Sequence, residues 1–145
     1  MGLKKKLKFI IIFGIIIILL GYNFYQINKI NCYKESLSNG VKENIQTFAG
    51  YSGNLDSDIF LEQYANITVA HKLYCQLIDN KGILADEWKS NLVGLLAQIK
   101  YIMLNDKEKF KEVFELENGS ELMFKISEDF NDKNSINSLY KLLVN

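Results

Sequence analysis

The chain has 145 residues, with 17 lysines, 17 acidic residues, no arginine and no proline, and its formal net charge is zero. All the acidic residues follow residue 30, whereas four lysines precede residue 9, so the chain beyond those four lysines carries a net charge of −4. This distribution excludes the basic footprint of a nucleic-acid-binding domain. Lysine without arginine, together with 18 isoleucines and 15 asparagines, is typical of an AT-rich genome such as that of a low-GC bacterium.

The first element is an apolar segment near the N-terminus. No charged side chain occurs from Phe9 to Asn28, and 20 helical residues cover roughly 30 Å, about the hydrocarbon thickness of a bilayer. The apolar core also suits a secretory signal peptide, but cleavage after Gly21 would place the large Leu19 at the minus-three position. We therefore predict an uncleaved transmembrane signal-anchor helix at residues 9–28. Its expected membrane-facing residues are Phe9, Ile12, Ile16, Leu20, Tyr22 and Tyr25.

The lysines around this segment predict its orientation. Four precede it and two follow it, and an excess of positive charge marks the cytoplasmic side of a membrane helix. We therefore predict a single-pass cell-membrane protein with a cytoplasmic N-terminus and an extracytoplasmic C-terminal domain. The lysines that determine this topology are Lys4, Lys5, Lys6 and Lys8.

The helix is predicted to continue beyond the membrane. Apolar residues recur at spacings of three and four as far as Leu37, which favours a juxtamembrane stalk over residues 29–49. Ser38-Asn39-Gly40 has the composition of a helix C-terminus, so we expect the first stalk helix to end there and a short second helix to follow. Residues 50–54, which include two glycines, are the predicted hinge.

Apolar stripes with helical spacing continue through the domain. The first helix, capped by Asp56 or Ser57, is expected to bury the stripe Phe60, Tyr64, Ile67, His71, Tyr74 and Ile78. The next helix, capped by Asp86 and carrying Trp88, has so broad an apolar face that we predict it to be central. Three shorter helices are expected: Asp106 and Ser135 cap two of them, and the third starts at Ser120.

These patterns define the predicted fold class and domain organisation. The fold is expected to be all-α, with a single N-terminal transmembrane helix that continues as a stalk into a small irregular helical bundle. The predicted segments are a basic cytoplasmic N-terminus at 1–8, the membrane helix at 9–28, stalk helices at 29–49 and an extracytoplasmic helical domain at 54–145.

The two cysteines leave two alternatives open. Outside the cytoplasm, Cys32 and Cys75 could form a disulfide that closes a loop of about 40 residues and stabilises the fold by a few kcal/mol. The alternative is two separate thiols that pack as small hydrophobic side chains. Two cysteines are too few to indicate a disulfide framework.

The candidates for enzymatic chemistry are few. His71, the single histidine, lies one helical turn before Cys75, the spacing of a Cys–His nucleophile pair, but its place in an apolar stripe favours a packed histidine. Asp129 begins a sequence vaguely like a calcium loop, but its fifth position is Lys133 and no glycine follows, which favours a turn. We expect no catalytic residue, metal, cofactor or small-molecule substrate.

These observations favour a membrane-anchored interaction or accessory protein of a bacterial cell envelope, whose partners are the membrane and another envelope protein. One alternative is an immunity-type protein that neutralises a toxin at the membrane. Another is an envelope enzyme that uses His71 and Cys75.

Overall fold

A computed structural model describes residues 3–79 and 92–145, with side chains from residue 8 onward. All the regular structure in these residues is helical, so the predicted all-α class is confirmed: a long apolar N-terminal helix is followed by a small helical bundle. The chain divides into two compact units, Met1–Ser36 and Leu37–Asn145. The predicted cap Asp86 and the adjacent Trp88 lie outside the described residues.

Six α-helices follow one another along the described chain. They are α1 (Leu3–Gly50), α2 (Ser57–Asp79), α3 (Leu92–Asn105), α4 (Lys107–Lys111), α5 (Gly119–Glu128) and α6 (Lys133–Val144), and a π-helical segment at Glu112–Leu116 continues α4.

Helix α1 is uninterrupted, so the predicted helix end at Ser38-Asn39-Gly40 is wrong. Gly40 serves close packing instead of ending the helix: a Cβ on it would lie 2.9 Å from Cδ1 of Leu73 on α2. The helix ends at Gly50, where the sequence predicts a hinge, and the chain then turns through Gly53, whose φ of 72° suits a residue without a side chain.

The centre of the second unit is α3, as its broad apolar face predicts. Helix α3 packs against α2, α4 and α6. Its wide buried face consists of Leu92, Val93, Leu95, Leu96, Ile99, Ile102 and Met103. The last turns of α1 add Leu37, Val41, Ile45 and Phe48 to the same core.

The buried face of α2 is rotated relative to the predicted stripe. Phe60, Ile67 and Tyr74 are buried as expected, but Tyr64, His71 and Ile78 lie at the edge and are half-buried. Three other residues complete the buried face: Gln63, Ala70 and Leu77. One end of the buried Gln63 amide is satisfied, because its Nε2 donates a hydrogen bond to the Asn54 carbonyl at 2.6 Å, whereas its Oε1 has no hydrogen-bond partner among the described residues.

Four phenylalanines from four parts of the chain form an aromatic cluster in the core. Phe48 of α1 lies edge-on to Phe114 with ring centroids 5.1 Å apart, and Phe110 of α4 is 5.1 Å from Phe114 and 5.8 Å from Phe60 of α2. Edge-to-face and tilted rings at these distances attract one another in addition to burying apolar area. The cluster thus joins α1, α2 and α4 within the second unit.

Aspartate side chains cap the N-termini of α4 and α6. Asp106 caps α4 as predicted, because its side chain accepts a hydrogen bond from the Lys109 backbone N–H at 3.0 Å. The predicted cap Ser135 of the last helix is wrong. Asp132 performs that role, because its Oδ1 accepts hydrogen bonds from the backbone N–H groups of Asn134 and Ser135, and helix α6 begins at Lys133.

The π-helical segment Glu112–Leu116 joins α4 to the turn before α5. Its widened turn ends with the Glu117 N–H donating to the Glu112 carbonyl, five residues earlier, at 3.0 Å. Val113 and Phe114 of this segment are buried in the core. The segment therefore belongs to the packed part of the domain, although its hydrogen bonding differs from that of an α-helix.

Helix α5 begins at Gly119, one residue before its predicted start at Ser120. The Ser120 hydroxyl instead donates to the Phe114 carbonyl at 3.0 Å. Gly119 lies so close to Val113 that a Cβ on it would be 2.5 Å from the Val113 carbonyl oxygen. A glycine is therefore required at this crossing.

Candidate functional site

The largest exposed apolar surface belongs to the first part of α1. The large apolar side chains between Phe9 and Leu20 are 46–72% exposed, far beyond what a soluble domain leaves open over so many consecutive residues. The most apolar 18-residue window has a mean hydropathy of 2.2 and no buried residue. Among the described residues, this is the one helix long and apolar enough to cross a membrane.

The predicted membrane-facing residues all lie on this exposed surface, namely Phe9, Ile12, Ile16, Leu20, Tyr22 and Tyr25. At its C-terminal end, the Tyr22 hydroxyl accepts a hydrogen bond from Gln26 Nε2 at 2.7 Å, so the ring carries a satisfied polar group. Lys8 is exposed, and the side chains of Lys4, Lys5 and Lys6 lie outside the described part of the structure. The orientation that these lysines predict stays a prediction.

The two cysteines lie on different helices and in different units. Cys32 is exposed on α1, and Cys75 is half-buried on α2. The disulfide and the two separate thiols both stay open as alternatives.

His71 is held by a residue that the sequence did not indicate. Its Nδ1 lies 2.8 Å from Nζ of Lys100 on α3. A lysine ammonium only donates hydrogen bonds, so Nδ1 is the acceptor and the imidazole proton is on Nε2. Burial, and then the Lys100 charge, hold the pKa of His71 below its ordinary value. No sequence pattern joins these two residues, because they are 29 positions apart on separate helices.

This geometry bears on the Cys–His hypothesis. A histidine that activates a thiol must direct its imidazole lone pair toward the sulfur. In the structure, the lone pair of His71 is directed at Lys100 instead. The pairing with Cys75, one turn along α2, therefore gains no support from the arrangement and stays untested.

A polar cleft of about 470 Å³ lies where the α1–α2 turn meets the π-helical segment. Its lining combines the Lys111–Glu115 ion pair, 3.5 Å apart, with the side chain of Asp56. Tyr51 also lines it, and a hydrogen bond with the Glu62 carboxylate raises the pKa of that tyrosine. The lining residues are Tyr51, Ser52, Asn54, Leu55, Asp56, Lys111 and Glu115, a set without a nucleophile–base pair.

The residues that vaguely resemble a calcium loop form a turn, as predicted. The Asp129 side chain accepts a hydrogen bond from the Asn131 backbone N–H at 2.9 Å, and Asp132 caps α6. Both carboxylates therefore already bond the backbone. Over residues 3–79 and 92–145, no group of three or more His, Cys, Asp or Glu side chains is arranged to hold a metal ion.

Two neighbouring helices of the second unit leave large apolar side chains exposed. On α3, Tyr101 and Leu104 are 60% and 62% exposed and lie one turn apart. On α2, Leu61 is 65% exposed and Val69 is 43% exposed. We call these four exposed residues, two on each of two helices that pack together, the outer α2–α3 face. Large exposed apolar patches mark protein-contacting surfaces, whereas single exposed apolar residues are common on any protein.

Comparison with known proteins identifies no relative. No protein-family model matches the chain, and no curated protein and no solved structure matches it significantly.

Proposed function

We propose that the chain is a membrane-anchored interaction or accessory protein of a bacterial cell envelope. The observation that carries this proposal is the exposed apolar surface of α1, from Phe9 to Leu20. In water such a surface would be costly, whereas in a bilayer it is in contact with lipid and all its backbone N–H groups bond within the helix. The residues after the span form the accessory domain.

Membrane anchoring is tested by substitution within the span. Replacing Ile12 and Ile16 by Asp puts two charges into the apolar segment, and each charge opposes insertion by about 3 kcal/mol. We expect the full chain to remain in the membrane pellet after alkaline carbonate extraction, and the double variant to move to the soluble fraction. A matched control replaces Lys72 and Lys141, which are exposed and lie outside the apolar segment, by Asp. Wild-type protein in the soluble fraction, or a shortened mature chain, would contradict a retained anchor.

The proposed topology places the N-terminus in the cytoplasm and the domain outside it, on the strength of the lysines before the span. A reporter that is active only in the cytoplasm, fused after Asn145, should be silent, and a reporter that folds only outside should be active. Replacing Lys4, Lys5, Lys6 and Lys8 by Gln should reduce this asymmetry. An active cytoplasmic reporter on the unchanged chain would refute the orientation.

The proposed partner is another protein of the envelope, and the outer α2–α3 face is the surface we assign to it. The proposal predicts that a photoreactive amino acid at Tyr101 captures one envelope protein in intact membranes. The same amino acid at Lys141, which is exposed on α6, is the matched control and should not capture that protein. Equal capture from both positions, or none from Tyr101, would contradict this surface.

A further inference from the structure

The contact between α2 and α3 includes the single histidine of the chain. His71 and Lys100 are both half-buried there, and the ammonium of Lys100 donates to the imidazole at 2.8 Å. Lys107, which lies just beyond the end of α3, has its Nζ 4.7 Å above the ring of Phe60 at the start of α2. The end of α3 therefore lies near the start of α2, and the two helices run antiparallel. The His71–Lys100 hydrogen bond therefore joins the two helices. We call the contact between α2 and α3 the α2–α3 seam.

Protonation of the imidazole would turn the attractive His71–Lys100 contact into a repulsive one. A charged imidazole carries hydrogen on both nitrogens, so Nδ1–H would face the Lys100 ammonium, donor against donor and cation against cation. Nε2 of His71 is buried and has no hydrogen-bond partner among the described residues. The Nε2–H, which the ring carries in both protonation states, therefore offers a charged imidazole no compensating acceptor in that part of the structure.

Lys100 is the one described charge that acts on the His71 ring, and it disfavours the charged imidazole. Helix α3 contains no acidic residue, and the acidic residues of α2 are at least eight positions away from His71. Tyr74 and Cys75 lie one turn along α2, and burial raises the pKa of Tyr74, so its hydroxyl stays neutral. Lys100 is the charged group that faces the ring from α3.

We propose that the His71–Lys100 contact makes the α2–α3 seam acid-sensitive, so that protonation of the imidazole breaks the bond and loosens α3 from α2. In the open seam the imidazole has its ordinary pKa of 6.5, whereas in the packed seam the pKa is lower. The open state therefore binds the proton more readily. Opening becomes more favourable as the pH falls below 6.5 and levels off below the lowered pKa.

The experiment uses the full chain in detergent micelles. Because there is one histidine, its ring NMR signals report a single titration from pH 8 to pH 4.5. We expect a midpoint below 6.5, together with loss of hydrogen-exchange protection in α3 over the same pH range. After correction for the intrinsic exchange rate, the protection factors of the α3 amides should fall roughly tenfold for each unit by which packing lowers the pKa of His71.

Two variants and a control distinguish the effect of His71 protonation from a general destabilisation of the domain by acid. His71→Gln should make α3 protection independent of pH between 7 and 5. Lys100→Gln should move the imidazole midpoint up toward 6.5 and reduce the pH response, whereas the exposed Lys141→Gln should change neither. An unchanged pH response in His71→Gln would overturn the proposal.

The wild-type titration is decisive even where His71→Gln does not fold. Protection in α3 that stays constant while the imidazole titrates would also overturn the proposal, and the Lys100→Gln shift provides an independent check. The measurement is made in micelles and does not depend on which side of a membrane the domain occupies. Failure of the proposed topology and failure of the acid-sensitive seam are therefore distinguishable.

Discussion

Oε2 of Glu128, near the end of α5, lies 2.7 Å from Nζ of Lys42 on α1. The other oxygen of the same carboxylate accepts a hydrogen bond from Gln46 Nε2 at 2.9 Å. Residues 42 and 46 are one helical turn apart on α1, so the two contacts approach the carboxylate from one side. One carboxylate thus fastens the last turns of α1 to α5 within the second unit.

Removing this carboxylate should weaken the domain slightly. We expect Glu128→Ala to lower the free energy of unfolding by about 0.5–1 kcal/mol, since exposed ion pairs contribute little and this one has an added hydrogen bond. The loss should shrink in high salt. Denaturant unfolding of the full chain in detergent measures it. Glu121→Ala is the matched control, because Glu121 pairs with Lys125 on its own helix, and its unfolding midpoint should change less.

The aromatic cluster in the core contributes more to the stability of the domain than the Glu128 contacts do. Phe110 is fully buried and touches the rings of Phe48, Phe60 and Phe114. Phe110→Ala should destabilise the domain by about 3–5 kcal/mol through lost apolar contacts and the cavity left behind. Phe124→Ala, at a position that is 43% exposed, should cost about 1 kcal/mol or less. Similar losses from the two changes would contradict the assigned core.

Gly53 is the glycine whose replacement should be most costly in the turn after α1. Its φ is 72°, and a Cβ would lie 2.9 Å from the Phe114 Cβ and 3.1 Å from the Glu115 backbone N. Gly53→Ala should therefore reduce stability by about 2 kcal/mol or more. Gly50→Ala is the control, because nothing lies within 4 Å of its Cβ and alanine favours the helix end by up to about 1 kcal/mol. Thermal unfolding of both variants tests the contrast.

The cap of α6 predicts a pH dependence. Hydrogen bonds from the Ser135 side chain and backbone lower the pKa of Asp132 below its ordinary value. The stability that the carboxylate provides is therefore present above the unfolded-state pKa and is lost as the pH falls through the lowered folded-state pKa. Asp132→Ala should destabilise the domain at pH 7, and its difference from wild type should shrink toward pH 2. A constant difference across this range would refute the ionised cap.

Thiol labelling tests the topology and the disulfide together. If Cys32 is outside the cytoplasm and reduced, a membrane-impermeant maleimide should label it rapidly in intact cells, because its side chain is exposed. Cys75 is half-buried and should react more slowly. A disulfide between them would leave both unlabelled until a reductant is added. The single variants Cys32→Ser and Cys75→Ser assign each rate to its residue.

Periodicity predicted the helices of this chain better than it predicted which side chains they bury. The wide face of α3 was predictable because seven apolar residues fall on it. On α2 the buried face includes Gln63 and Ala70, which lie outside the predicted stripe, and the Gln63 side chain donates a hydrogen bond to the Asn54 carbonyl there. Hydropathy alone ranks Gln63 below Tyr64 and cannot anticipate that choice.

Short sequence patterns gave wrong or incomplete predictions where a residue distant in the sequence determines the local structure. Gly40 has the sequence context of a helix end, yet its neighbour Leu73 on α2 explains the glycine and the helix continues. The pairing of His71 with Lys100 likewise arises from packing between separate helices. Such contacts are properties of the tertiary structure, so no short window of sequence contains them.

The π-helical turn also affects how the chain tolerates changes in length. Because the Glu117 N–H bonds back to Glu112 across five residues, this segment holds one residue more than an α-helix with the same hydrogen-bonded ends. A deletion of one residue here can be absorbed by tightening the turn to α-helical pairing. The same deletion within α3 would rotate the residues on one side of it by about 100° relative to those on the other and so divide its buried face. Relatives that are shorter by one residue are therefore expected to have their alignment gap within Glu112–Leu116.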